Sequence, residues 1–461
     1  MLFNSYGFIF AFLPLALVAC HGARRWGAVW WKRALLAASV LFYAFAGWSF
    51  LAYLAVSVAV SYALASAVSR AEGRRRKALL VLSLVLNVGA LAFAKYSGFF
   101  VANVNRLFQT DWKALHVIVP LGISFFTFSQ VAFVVGAYRR ELLRVGFWDY
   151  ALYVFYFPKL LMGPITEPSA FFGQLKGRRE TDWSRLADGW RLFAIGLFKK
   201  TVFADAFART VAYGFGPASA ELSTIDTAVV ALAYTFEIYF DFSGYTDMAI
   251  GVSRMLGLDL PVNFDSPYKA LSIRDFWKRW HLSLTRFLTK YVYFPLGGSR
   301  CGPVRTAVNV LLVFLVSGIW HGANWTFVLW GVLHGALMVR DREMERIDAK
   351  IPRLVRWAAT FAVTNLLWLL FRSADFAQFR VMLGNLASLR LTLDPVLTHT
   401  VTEPVPLWLL LPLAFAVCVG LPNSTRAVAR PGWRTALLSA GAALAGICSL
   451  GNGSSFVYFN F

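Results

Sequence analysis

Charged residues are scarce in this sequence. Asp, Glu, Lys and Arg together make up 15% of the residues, whereas 58% are hydrophobic. A soluble globular domain carries about 25% charged residues. This composition argues against a soluble protein and indicates a chain that lies in a membrane, without a separate soluble domain.

Cysteine is also rare, and its spacing excludes two kinds of site. The four cysteines, at positions 20, 301, 418 and 448, are far apart and form no CxxC pair. Neither a disulfide framework nor a metal site is therefore expected. Residues 17–20 (LVAC) resemble a lipoprotein cleavage box, but the first seven residues carry no charge. A signal peptide needs a basic start, so we expect a first, uncleaved membrane helix.

Acidic residues are outnumbered by basic ones, 24 to 45, which gives a net charge of +21. Such a charge is often a sign of nucleic-acid binding. Here the basic residues stand in short loops between apolar runs, which is the pattern that the positive-inside rule produces. We therefore expect a lipid bilayer, and no nucleic acid, as the partner of these charges.

Apolar runs recur along the whole chain, and a membrane-spanning helix needs about 20 such residues. The runs lie near residues 5–20, 34–48, 50–69, 78–94, 117–138, 192–213, 225–250, 306–320, 324–339, 357–371, 406–422 and 435–450. They predict an all-α, polytopic helical bundle with about eleven to thirteen membrane helices, in one domain over residues 1–461.

The loops between these runs alternate in charge. Segments 70–77, 173–191 and 340–356 are basic, whereas 47–49 carries no charge. Basic loops stay in the cytoplasm. The alternation therefore predicts that 47–49 and 372–405 face outward and that the N-terminus and the C-terminus both lie outside.

A break interrupts the apolar pattern in the first half of the chain. Residues 156–165 (YFPKLLMGPI) contain two prolines and a glycine. Proline breaks a helix, and broken backbone at membrane depth must be satisfied by protein or by a water-filled cavity. We predict that 147–172 is re-entrant, with a kinked ordinary span as the alternative.

Three carboxylates stand in a single apolar run. Glu237 and Asp241 are four residues apart and share one helix face, and Asp247 follows them. Carboxylates in lipid must pair or line a wet cavity, and Lys199 and Lys200 are candidate partners. The pattern leaves two roles open for Asp241, a structural ion-pair network or support of catalysis.

Residues 274–300 have a two-faced pattern. Apolar residues fall at helical spacing at Phe276, Trp277, Trp280, Leu284, Phe287, Leu288 and Tyr291, and polar residues take the other face at Lys278, Arg279, Ser283, Arg286 and Lys290. This predicts one amphipathic helix in the cytoplasmic interface, ended by a turn at 295–298. His281 sits at the edge of the apolar face, where a packing histidine is the alternative to a functional one.

Two histidines fall in the apolar stretch 317–335, where an ionisable group is expensive and is a functional candidate. His321 is flanked by Trp320 and is followed by Asn324 at a predicted helix start. A neutral imidazole accepts a proton near pH 7, so His321 is the candidate base. A hydrogen-bonded core histidine is the alternative.

The second of these histidines, His334, lies beside a small-residue pattern. Gly331 and Gly335 form a GxxxG, which is typical of closely packed helices. We therefore assign His334 to packing.

Seven stretches, in order, resemble the membrane-bound O-acyltransferase superfamily, and in particular its bacterial branch that acetylates exopolysaccharides and peptidoglycan. They are 119–129 (VPLGISFFTFS), 156–165, 238–251 (IYFDFSGYTDMAIG), 274–300, 320–335 (WHGANWTFVLWGVLHG), 368–376 (WLLFRSADF) and 456–461 (FVYFNF). The resemblance covers essentially the whole chain. It matches the invariant histidine of the family to His321 and its second histidine to His281.

The resemblance implies a bundle around a central funnel or tunnel in a bacterial inner membrane, with His321 at the narrow point. The implied reaction is O-acetylation of an extracytoplasmic polysaccharide such as alginate or a related exopolysaccharide. The implied donor is acetyl-CoA or another acyl thioester, with no permanently bound cofactor and no metal. The implied partners are an extracytoplasmic SGNH-hydrolase-type acetyltransferase and a polysaccharide synthesis complex.

These expectations lead to a mechanism in which His321 is the general base that deprotonates an acceptor hydroxyl. His281 polarises the thioester carbonyl or orients the donor, and Asn324 stabilises the oxyanion with nearby backbone N–H groups. Trp320, Trp280 and Asp241 are supporting residues. A covalent acyl-histidine route stays open.

Two other functions compete with this one. The same fold can transfer D-alanine, or an acyl group to peptidoglycan. A transporter or flippase of the donor or the glycan is a non-enzymatic alternative, but transporters usually show internal repeats with paired broken helices. Segment 156–165 has no such counterpart in the other half of the sequence.

Overall fold

The computed structural model describes residues 1–461 apart from 114–116, 143–144, 178–180, 349, 395–396, 398–405, 429–431, 453–455 and 458–461. The described residues form helices, turns and loops but no strand, which confirms the all-α class. They pack as two compact units. Unit 1 is Met1–Phe193 with Met248–Pro261, and unit 2 is Ala194–Asp247 with Val262–Phe461. The single domain over 1–461 stays a prediction.

Unit 1 begins with long helices joined by short turns. A π-helical turn at Phe8–Phe12 leads into α1 (Leu13–Arg24), which is followed by α2 (Ala28–Ala44), α3 (Trp48–Arg70), α4 (Gly73–Phe108), α5 (Ile123–Tyr138), α6 (Phe147–Phe155), α7 (Phe157–Leu160), α8 (Pro168–Leu175) and α9 (Trp183–Phe198).

One helix of this unit is longer than the sequence pattern predicts. The apolar run ends near residue 94, but α4 continues to Phe108 and has 36 residues. No proline stands between residues 95 and 108, so nothing in the chain stops the helix there. It ends at Gln109, whose φ of 53° is left-handed.

The predicted break after residue 147 is confirmed. Helices α6, α7 and α8 have only 9, 4 and 8 residues, and at about 1.5 Å per residue none is long enough to cross a membrane. Gly163 packs on the backbone here, because a Cβ at this position would lie 2.4 Å from the carbonyl oxygen of Pro158. The re-entrant path of 147–172 stays a prediction.

Unit 2 contains the end of α9, a π-helical segment at Lys199–Ala204 and most of the remaining helices. They are α10 (Asp205–Gly214), α11 (Thr224–Met255), α12 (Ile273–Trp277), α13 (Leu282–Leu288), α14 (Pro303–His321), α15 (Trp325–Glu343), α16 (Glu345–Asp348), α17 (Arg353–Arg372), α18 (Phe376–Ala387), α19 (Leu407–Gly420), α20 (Ser424–Val428) and α21 (Trp433–Cys448), with a second π-helical segment at Thr289–Tyr293.

The prediction of one amphipathic helix over 274–300 is wrong. The chain forms α12 and α13 instead, and they are separated at His281, whose φ of 44° and ψ of 51° are left-handed. The backbone there bonds to another segment: the Leu282 N–H donates to the carbonyl oxygen of Asn263 at 3.0 Å. The Ser283 N–H donates to the Asn263 side chain at 3.1 Å. These long-range bonds replace the helical ones at this point.

The helix start predicted at Asn324 is confirmed: α14 ends at His321, Asn324 is the N-cap of α15, and α14 and α15 form a hairpin. The two helices cross closely. A Cβ on Gly331 would lie 2.4 Å from the Phe314 carbonyl oxygen, and one on Gly335 would lie 3.2 Å from the Leu311 Cα. Only small residues allow this approach, so the GxxxG prediction is also confirmed.

Four of the described helices are long and apolar enough to cross a membrane, namely α3, α4, α14 and α17. Shorter apolar stretches accompany them at Phe8–Arg24, Ile123–Tyr138, Leu407–Gly420 and Trp433–Cys448. The chain is an integral membrane protein. The total of about eleven to thirteen membrane helices and the central funnel stay predictions.

Candidate active site

His321 is the last residue of α14, at the turn of the hairpin. Its side chain is buried, with 4% of its surface exposed. Gly322, which follows it, has an extended backbone (φ −169°) and ends the helix. A Cβ on this glycine would meet the Phe327 ring at 2.1 Å, so glycine is required for the turn to close. The imidazole is thereby fixed at the hairpin tip.

Three aromatic rings enclose His321. Their centroids lie 4.9 Å (Trp320), 5.2 Å (Trp330) and 5.3 Å (Phe371) from that of the imidazole, and all three contacts are edge-on. Such an enclosure leaves the ring little contact with bulk water. Of these rings the sequence pointed only to Trp320. Trp330 and Phe371 fall within two of the family-like stretches, but their positions in the sequence do not indicate that they contact His321.

His281 lies between α12 and α13 and is fully buried. Its ring stands edge-on to Phe242, with centroids 4.7 Å apart, and this ring of α11 was not anticipated from the sequence. The loop is outside the four helices long enough to cross a membrane. Burial lowers the pKa of His281 to about 3, so the imidazole is neutral at pH 7.

Trp320 brings the two predicted catalytic histidines together. Its ring centroid lies 4.9 Å from that of His321 and 6.2 Å from that of His281. The indole is 6% exposed. One aromatic ring therefore contacts both imidazoles in a buried part of unit 2.

Asn324 is the N-cap of α15. Its side-chain oxygen accepts a hydrogen bond from the Thr326 N–H at 3.2 Å, and its amide group donates to the Ala374 carbonyl oxygen. A capping side chain of this kind holds the helix start in place. Both ends of the amide are engaged within the protein, so the oxyanion contact stays a prediction.

Asp241 belongs to a buried ion-pair cluster. The Lys200 ammonium lies 2.7 Å from Asp241 and 2.8 Å from Asp205, and all three side chains are at most 3% exposed. The Val457 N–H donates to the second Asp241 oxygen at 3.0 Å. Lys199 is paired with Asp247 at 2.7 Å. The expected lysine partners are confirmed, and these contacts favour the structural role for Asp241.

Trp280 and His334 belong to the aromatic packing beside the site. Trp280 stacks on Phe276, with centroids 5.5 Å apart, and contacts Trp368 at 4.9 Å. The His334 Nδ1 accepts a hydrogen bond from the Trp277 Nε1 at 3.1 Å. His334 is fully buried and stands edge-on to Trp277 and Trp330, as expected for a packing histidine.

A partly open cavity of about 420 Å³ lies beside this hairpin in unit 2. Arg274 and Arg342 line part of it, and apolar side chains and hydroxyl groups line the rest. Ser317 is among the lining residues and stands one helical turn before His321, on the same face of α14. Within the described part of the chain, no group of three His, Cys, Asp or Glu side chains is placed to hold a metal ion.

Comparison with known proteins gives a consistent result. The peptidoglycan O-acetyltransferase of Helicobacter pylori is 38% identical over 419 residues, which cover 83% of this chain and 79% of that protein. A probable alginate O-acetylase of Azotobacter vinelandii is 36% identical over 384 residues, with 81% and 76% covered. The teichoic acid D-alanyltransferase of Bacillus subtilis is 29% identical over 261 residues, with 54% and 66% covered.

The part of the chain that matches a known family includes the candidate active site. Residues 77–376 match the membrane-bound O-acyltransferase family, and this range contains both buried histidines and the hairpin that carries His321. Two of these relatives are more than 30% identical over most of the chain, and the helical fold agrees with the family. This integral membrane protein belongs to the membrane-bound O-acyltransferase family and is an acyltransferase.

Proposed function

We propose that this protein takes an acetyl group from a cytoplasmic thioester donor, such as acetyl-CoA, and passes it across the membrane for O-acetylation of an extracytoplasmic polysaccharide. The observation that carries the proposal is the pair of buried histidines that share contact with Trp320. The names of the relatives support acetyl as the group, since both the peptidoglycan and the alginate enzymes are O-acetyl transferring proteins.

In this mechanism the buried His321 acts as the general base. Its neutral imidazole removes the proton from the acceptor hydroxyl while that oxygen attacks the thioester carbonyl. The carbon–sulfur bond then breaks, and the thiolate leaves with the proton that the imidazolium returns. The three surrounding rings keep water away, so that hydrolysis does not compete with transfer.

The cavity beside the hairpin is a suitable place for the donor. Arg274 and Arg342 supply positive charge for phosphate groups, and the apolar lining suits a pantetheine arm that carries the thioester. The cavity is lined by Ser317, one turn before His321. We place the donor here, with its acyl end toward the hairpin tip.

The acceptor is a polysaccharide outside the cell. Alginate, a related exopolysaccharide and peptidoglycan all agree with the names of the relatives, and an SGNH-hydrolase-type acetyltransferase with a polysaccharide synthesis complex would complete the transfer. D-alanyl transfer is the second candidate, but the relative with that name matches only 54% of this chain. To distinguish the two donors, the protein is placed in vesicles and given either acetyl-CoA with a labelled acetyl group or a carrier protein with labelled D-alanine. We expect the label to be transferred from acetyl-CoA but not from the carrier protein.

The location that fits this reaction is the bacterial inner membrane, with both termini outside. The basic loops support this orientation. We expect single cysteines at Ser49 and at Lys350 to be labelled from opposite sides of the membrane, Lys350 from the cytoplasm. The background must lack the exposed Cys301 and Cys448. Labelling of both sites from one side would contradict the orientation.

A substitution of His281 can distinguish a structural role of this residue from a chemical one. Its backbone is left-handed, a conformation that Asn tolerates better than most residues. We therefore expect His281→Asn to fold with nearly normal thermal stability. If the imidazole handles the donor, acetyl transfer per folded molecule should fall at least about tenfold, since positioned side chains of this kind contribute about 10²–10⁴.

The matched control for this variant is Phe242→Leu, which disturbs the packing on His281 but keeps the imidazole. It should lower stability more than it lowers turnover per folded molecule. A His281→Asn protein with normal turnover would reduce His281 to a packing residue.

A further inference from the structure

A second cavity lies in unit 1, and none of its lining residues belongs to the candidate active site. Its volume is about 690 Å³, and it is partly open. One wall is the last two turns of α3, where Tyr62, Ser66, Ser69 and Arg70 line it. These positions follow the helical repeat and so share one face of α3. The opposite wall includes Arg140.

The two arginines of this cavity differ from Arg76, a nearby arginine that is built into the fold. Arg76 is engaged in the fold, since it donates to the Tyr138 carbonyl oxygen and its Cζ lies 5.1 Å from the centroid of the Tyr138 ring, within the range of a cation–π contact. Arg70 is exposed, and the described residues offer it no ion pair. Arg140 has one acidic neighbour, Glu72, at 3.7 Å, and both of those side chains are mostly exposed.

The backbone at Arg140 adds an independent observation. Its φ of 60° is left-handed, a conformation that is unfavourable for a residue with a side chain. The turn is closed by the Glu141 N–H, which donates to the Gly136 carbonyl oxygen at 3.0 Å. Strained residues of this kind concentrate at ligand sites, and here the strained residue lines a cavity.

The rest of the lining sets the chemical class of the ligand. Ser66 and Ser69 line the cavity on the same helix as Arg70, and the Phe133 ring and small apolar side chains line the remainder. The Ser69 hydroxyl donates to the Ser66 carbonyl oxygen at 2.8 Å. Two guanidinium groups suit a phosphate group, and the apolar part suits the hydrocarbon next to it. Basic pockets between membrane helices on the cytoplasmic side are typical binding sites for acidic phospholipid headgroups.

We infer that this cavity binds the headgroup of an anionic phospholipid of the cytoplasmic leaflet, with its phosphate between Arg70 and Arg140. The leaflet rests on the proposed orientation of the basic loops, whereas the binding itself does not depend on it or on acyl transfer. The lipid would stabilise unit 1 and leave the chemistry at the histidines unchanged.

The test is a lipid titration of the full-length protein in neutral detergent, with bound lipid counted by native mass spectrometry. Phosphatidylglycerol should bind to the wild type more tightly than phosphatidylcholine. Since each basic residue near a membrane contributes about fivefold in affinity, Arg70→Gln/Arg140→Gln should bind phosphatidylglycerol about thirtyfold more weakly.

The matched control is Arg74→Gln/Arg75→Gln, which removes the same charge from two exposed residues that do not line the cavity. It should change the affinity less than about twofold, because charges outside the cavity act only through a screened field. Equal loss in both double variants would overturn the site and leave only general attraction to a basic surface.

Two further measurements test whether the cavity itself binds the lipid. Ser69→Trp retains both arginines but fills part of the cavity at an exposed position, so it should also weaken phosphatidylglycerol binding even if the double variant folds poorly. Coenzyme A and inorganic phosphate are then added as soluble competitors. If either displaces the lipid at equal concentration, the cavity is a soluble-phosphate site and the lipid assignment is wrong.

Discussion

His321→Asn is expected to fold, to enter the membrane and to transfer essentially no acetyl group. Asparagine keeps a polar side chain of similar shape but cannot accept the proton, and a general base contributes about 10²–10⁴ in rate. The measurement is acetyl transfer per folded molecule, with folded protein quantified in detergent. Residual turnover above about a tenth of the wild type, beyond even the low end of that range, would contradict the general-base role.

His334→Asn is the matched control for this variant. His334 is on the same hairpin, is also buried, and accepts a hydrogen bond from Trp277. Losing that bond costs about 0.5–1.5 kcal/mol, so the protein should become less stable while each folded molecule keeps its turnover. If both variants lost activity only in proportion to the folded protein lost, His321 would be a packing residue as well.

Lys200→Met is expected to have the largest effect on stability. The lysine is fully buried and is the cation between Asp205 and Asp241. Breaking a buried ion pair from one side costs about 3–5 kcal/mol, because it leaves an uncompensated charge. The measurement is equilibrium unfolding in mixed micelles. A loss below about 1 kcal/mol would show that the cluster is not held together by this cation.

Asp241→Asn separates the structural role of the cluster from a catalytic one. It leaves Lys200 paired with Asp205, so its cost should be smaller, about 1–3 kcal/mol. Turnover per folded molecule should be nearly unchanged. A loss of turnover as large as that of His321→Asn, without a matching loss of folded protein, would make Asp241 the proton acceptor instead.

Features set by local chemistry were predictable from the sequence. The close helix crossing follows from the GxxxG at Gly331 and Gly335, since only small residues let two backbones approach. The pairing of Lys200 with Asp241 follows from the cost of a lone charge in an apolar run. The break after residue 147 follows from the prolines. In each case the type of residue alone allows few alternative local structures.

Features set by distant parts of the chain were not predictable. The periodicity of 274–300 is helical throughout, yet the helix breaks at His281, because Asn263 bonds to the backbone that follows. The rings around the histidines have the same origin. Phe242 and Phe371 come from helices far away in sequence, and no spacing reveals which apolar residues of a membrane helix will meet an imidazole.

The buried lysine pair also has a consequence for how the protein is made. Lys200 and its partner Asp241 are 41 residues apart, and a ribosome adds about 5–20 residues per second. For some seconds, the segment that carries Lys200 is therefore complete before Asp241 is made, and Asp205 at the start of α10 is the partner already present. The Asp205 carboxylate can therefore compensate the lysine early, and Asp241 joins the cluster only when α11 has been synthesised.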